Sequence, residues 1–75
     1  MPINKDTLLE LLKPHVEVEL IDTRISIDNF LFIEIDKIEK CEFRTKSCDD
    51  RPYIFFQLGY RFLSYYIKDK EVHLF

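Results

Sequence analysis

Apolar and polar positions alternate along most of this chain with a period of two, and only near the start does the spacing become that of a helix. Leu8, Leu11, Leu12 and His15 fall at i, i+3, i+4 and i+7, while Glu10 and Lys13 take the other side. That spacing predicts one short amphipathic helix over residues 4–13. Asn4 or Asp6 supplies the N-cap oxygen, Thr7 with Glu10 fits a capping box, and Pro14 ends the helix by excluding αR at Lys13. So short a helix does not hold in water by propensity, and its leucine face must dock on an apolar surface.

Strand patterning follows. Val16, Val18 and Leu20 alternate with Glu17 and Glu19, the period of a half-buried strand with one wet face. A turn at residues 22–24 separates it from Ile25, Ser26 and Ile27, and the polar pair Asp28 and Asn29 reads as a bulge or a tight turn, since both residue types tolerate left-handed backbone. Phe30, Phe32 and Glu34 share one face and Leu31, Ile33 and Ile35 the other, and residues 30–33 are apolar on both, which predicts a central strand covered on each side. The phase breaks at Asp36, Lys37 and Ile38 and resumes with Cys41 and Phe43, as a bulge or corner in one strand or a turn between two. Residues 44–51 form the most loop-like segment, closed by Pro52.

Residues 52–67 hold all four Tyr, three of the seven Phe and the single Gly. Ile54, Phe56, Leu58, Tyr60 and Phe62 form one alternating row, with Tyr53, Phe55, Gln57, Gly59 and Arg61 opposite, and the parity then flips at Leu63, Tyr65 and Ile67. A strand is the expectation throughout, with Gly59 marking a bulge or close backbone approach; a helix over residues 62–67 is the alternative. Residues 68–71 read as a polar turn and residues 72–75 as a last strand. The fold class is α+β: one short N-terminal helix packed on a strongly curved antiparallel sheet of four or five strands, in one domain over residues 1–75. The core row of residues 54–62 is roofed by Leu8, Leu11 and Leu12.

Composition supports an ordered domain. Hydrophobic residues make up 47% of 75 and charged ones 33%, far from the signature of disorder. The start carries acid and lacks an uninterrupted apolar stretch, and no run approaches a membrane span, so a soluble cytoplasmic protein is expected. There is no Ala, and Phe, Tyr, Ile, Asn and Lys are favoured over Gly, Arg and Pro, as an AT-rich coding sequence of a low-GC bacterium or its phage would give. No family is recognised; residues 32–41, Phe-Ile-Glu-Ile-Asp-Lys-Ile-Glu-Lys-Cys, have a generic similarity to pleckstrin-like and other small β-barrel domains.

Material for catalysis is thin. His15 and His73 are far apart in sequence, and Cys41 suits a buried thiol; Cys48, between Lys46 and Arg51, sits where a thiol is more acidic. Neither cysteine belongs to a disulfide framework or to metal-ligand spacing, the lone glycine excludes a phosphate loop, and no cofactor or metal is expected.

Binding is the remaining class. Glu17 and Glu19 share one strand face and Glu34 and Asp36 another, an acidic surface for a partner with basic character. Tyr53, Arg61, Tyr65 and Tyr66 are the contact candidates, since Tyr and Arg bury area while keeping a polar handle. The expected function is a small non-enzymatic protein-binding module, of the kind a phage or mobile element uses to occlude a host protein. A self-associating homodimer is one alternative. A single-stranded nucleic-acid binder using Arg44, Lys46, Arg51 and Arg61 is the other, opposed by a net charge of -3.

Overall fold

The structure is a computed structural model that describes residues 4–45 and 50–75. Helix α1 (Lys5–Leu12) begins at Asn4, whose side-chain oxygen accepts from the backbone N–H of Asp6 at 2.8 Å and of Thr7 at 3.4 Å. The expected N-cap is therefore in place. At the other end Lys13 keeps αR angles (φ -51, ψ -41) against the usual preference before proline. The helix stops instead because Pro14 has no N–H to offer the carbonyl of Glu10.

Seven antiparallel strands follow as two meanders. β1 (Val18–Ile21), β2 (Arg24–Ile27) and β3 (Leu31–Glu34) form a three-stranded sheet in that order. A 3-10 turn (Ile35–Lys37) leads into a four-stranded sheet of β4 (Ile38–Arg44), β5 (Tyr53–Leu58), β6 (Arg61–Tyr66) and β7 (Glu71–Leu74), again in chain order. The class is α+β with antiparallel sheets, but two sheets replace the single curved one. The phase break at residues 36–38 is the corner between them, and a second irregularity between Ile38 and Lys40 shifts the register.

One core joins all three layers. Leu8 and Leu12 of α1, Ile25, Ile27 and Ile33 of the first sheet, and Ile38, Ile54, Phe56, Leu63 and Tyr65 of the second belong to a single buried cluster. Ile54 and Phe56 thus share a core with the helix leucines, as the alternating row predicts.

Two strand expectations need correction. β3 lies at the edge of its sheet, not the centre, and Phe30 and Phe32 are 54% and 52% exposed. Gly59 is no bulge: it opens the two-residue β5–β6 turn with φ +66, and Leu58 pairs with Arg61 across it. Residues 61–66 are strand, which excludes the helical alternative. Asp28 and Asn29, with φ 55 and 52, form a tight turn closed by the Phe30 N–H on the Ile27 carbonyl at 3.0 Å.

Candidate functional site

Every second residue of the four-stranded sheet points away from the core, and the register arranges these residues as a grid. Lys40, Gln57, Phe62 and Phe75 make one row, Glu42, Phe55, Ser64 and His73 the next, and Arg44, Tyr53, Tyr66 and Glu71 the third. Phe75 extends the grid beyond β7 because its N–H and carbonyl both bond to Phe62, at 2.8 and 3.3 Å. Five aromatic rings therefore share one outer face.

The rings touch. Tyr53 and Tyr66 lie with centroids 5.3 Å apart, Phe55 and Phe62 at 5.6 Å, and His73 meets Tyr66 edge-on at 5.0 Å. Ser64, between Phe55 and His73 in its row, is only 4% exposed because its neighbours stand taller. Two guanidinium groups cap the rings, Arg44 at 4.1 Å from the Phe55 centroid and Arg51 at 4.3 Å from that of Tyr66.

Carboxylates balance these cations locally. Glu42 pairs with Lys40 at 3.0 Å and Arg44 at 2.8 Å, and Glu71 with Arg51 at 3.1 Å and His73 at 3.3 Å. Arg51 also pairs with Asp69. The Lys40 and then the Arg44 hydrogen bonds hold the Glu42 carboxyl below the usual range, and those from His73 and then Arg51 do the same for Glu71. Hydrogen bonds to the Tyr53 hydroxyl and to Glu42 raise the Arg44 pKa.

Of the residues singled out from sequence, Tyr53 and Tyr66 lie on this face, half-buried. Tyr65 does not: it is fully buried on the core side, and its hydroxyl donates to Asp28 Oδ2 at 2.7 Å. Arg61 shares the side of Leu58 and Leu63, opposite Tyr53, because the two-residue turn inverts the parity on which they were grouped. It borders an open cleft with Asp36 and Lys37. Nor do the acids form one patch. β1 and β3 flank β2 without pairing, so Glu17 and Glu19 are separated from Glu34, both of whose oxygens are taken by Thr23 at 3.0 Å and Arg24 at 3.1 Å.

Phe55, Phe62 and Phe75 were not among the candidates. Phe62, expected in the core row, faces outward and is 37% exposed. The available signal was Gly59-Tyr60 read as a Gly-X turn, which places Phe62 beside Phe55.

The remaining reactive groups have structural partners. His15 stacks on Phe43 with centroids 3.7 Å apart. Cys41 is buried and burial pushes its thiol up to about 12, which leaves it a small hydrophobe at neutral pH. Lys46 and Cys48 lie outside the described residues. Among the described residues no group of three or more His, Cys, Asp or Glu is placed to hold a metal, and no helix is long and apolar enough to cross a membrane. Compared with protein-family models, with curated proteins and with solved structures, the chain matches none.

Proposed function

We propose that this chain is a non-enzymatic protein-binding module that docks through the outer face of its four-stranded sheet. One observation carries the proposal: Tyr53, Phe55, Phe62, Tyr66 and Phe75 converge on that face, with Arg44 and Arg51 laid over two of the rings. Tyr and Arg in this arrangement are typical of interface hot spots, and the charged residues stand around the aromatic centre as a polar rim. The partner is a protein and not a single strand of nucleic acid. A phosphate-tracking surface needs surplus cations, whereas Glu42, Glu71 and Asp69 already neutralise those present. Occlusion of a host protein by a phage or mobile-element inhibitor is the narrower form of the proposal, supported by acidity and residue usage.

Affinity capture with the full chain tests it. Phe62→Asp with Tyr66→Asp should abolish retention of the partner held by this face while leaving the far-UV spectrum intact, and Glu10→Lys with Lys13→Glu, exposed on and just after α1, should not. Equal retention by the two double variants would remove the aromatic face as the docking surface.

A second reading, self-association, is favoured by one feature. β7 is an edge strand whose Leu74 and neighbouring Phe75 are 63% and 71% exposed.

A further inference from the structure

We propose that the outer face of the three-stranded sheet carries a second binding site, a notch that receives a primary ammonium group, the end of a partner's lysine side chain. The notch holds about 200 Å³ and is lined by Glu17, Glu19, Ser26 and Asn29, with Val18 between the glutamates. The β1–β2 register sets Glu19 directly opposite Ser26. The Asp28–Asn29 turn is clamped to Glu17 by two hydrogen bonds, Asp28 N–H to the Glu17 carbonyl at 2.7 Å and Glu17 N–H to Asp28 Oδ1 at 3.0 Å. That clamp brings Asn29 alongside.

Two independent observations point to a ligand. The first is that Glu17 and Glu19, two carboxylates lining one notch, make no ion pair or side-chain hydrogen bond among the described residues, so both are available to a cation there. The second is Ser26. It is 1% exposed, on the central strand, and its Oγ has no hydrogen-bond partner. A small side chain is needed there, beneath Glu19 and Phe32, but alanine would meet that need without an orphaned hydroxyl.

The chemistry of the lining selects the occupant. Two carboxylates, an amide oxygen and a hydroxyl offer acceptors to a cation that donates in several directions, and a lysine ammonium has three donors and no acceptor. Its methylene stem can lie along Phe32, the next residue in the Glu19–Ser26–Phe32 row and 52% exposed. A calcium ion needs six to eight oxygens in one tight shell. Two glutamates spaced two apart, Glu17 just before β1 and Glu19 within it, suit hydrogen bonds fanning out from an ammonium better. The site is on a different sheet from the aromatic face and does not depend on it.

The test is a titration of the full ¹⁵N-labelled chain with n-butylammonium chloride, against sodium chloride at matched ionic strength. Saturable shifts of the Glu19, Ser26 and Asn29 amides are expected, with a midpoint on the order of 10 mM. Glu17→Gln with Glu19→Gln should raise that midpoint at least about fivefold. Ser26→Ala should weaken binding roughly two- to threefold and at the same time raise the urea midpoint of the free protein, since it deletes a buried hydroxyl that has no partner. Phe62→Asp, on the other sheet, should leave the butylammonium midpoint unchanged. Identical shifts with sodium chloride, tighter binding of calcium than of butylammonium, or a Ser26→Ala variant that loses stability and keeps its affinity would each overturn the proposal.

Discussion

At the scale of single residues, the hydrogen bond from Tyr65 to Asp28 joins the two sheets. Tyr65 is fully buried in β6, while Asp28 sits in the β2–β3 turn and uses its other oxygen to hold the backbone of Glu17. Tyr65→Phe leaves that carboxylate short of a donor, and a loss of about 1.5–3 kcal/mol is expected in urea melts, with an unchanged m-value. Alkaline pH attacks the same bond. Burial first, and then Asp28, push the Tyr65 hydroxyl well above its ordinary 10.0, and burial lifts the Cys41 thiol from 9.0 to about 12. Both folded-state values are raised, so the stability linked to them is fully present below pH 9 and is lost as pH rises from there. Urea midpoints should be level from pH 7 to about 9 and then fall, and Cys41→Ala should delay the onset by about one pH unit. A midpoint that rises above pH 9 would contradict this.

At the scale of elements, the β5–β6 hairpin decides which aromatic residues are buried. A two-residue turn returns the chain with residues 58 and 61 on the same face, so the parity of the pattern must invert across it. That inversion is visible in the sequence, but Tyr60 and Phe62 are themselves apolar and carry the alternating row past the turn, which makes the flip look as if it falls between residues 62 and 63. The exposure of Tyr60, complete at the hairpin tip, confirms that it belongs to the turn and not to the row. Gly59→Ala should cost about 1 kcal/mol, from the positive φ alone, because a Cβ at that position meets nothing within 4 Å. A denaturant midpoint equal to the parent's would mean that the turn relaxes to another type. In helix α1 the leucine spacing and the Asn4 cap are local signals, and both hold in the structure.

At the scale of the molecule, the four sheet edges bear on oligomeric state. β4 carries Lys40, Glu42 and Arg44 along its edge, a charged guard against pairing, whereas β7 ends in exposed Leu74. Sedimentation velocity at tens of micromolar is expected to give a monomer; a dimer that Leu74→Lys dissociates would instead favour the self-associating reading. By itself the sequence determined what local spacing can determine: one capped amphipathic helix, strands of period two, a break of bulge or tight-turn type at Asp28 and Asn29, a buried Cys41, and Ile54 and Phe56 in the core. Only the tertiary structure decided that the strands divide into two sheets at residues 35–37, that β3 is an edge, that Tyr65 turns inward and that Phe62 and Phe75 turn out to join Tyr53, Phe55 and Tyr66. The physical reason is that alternation fixes which residues share a strand face, while the choice between core and solvent for that face depends on which strands hydrogen-bond to it and what lies above it.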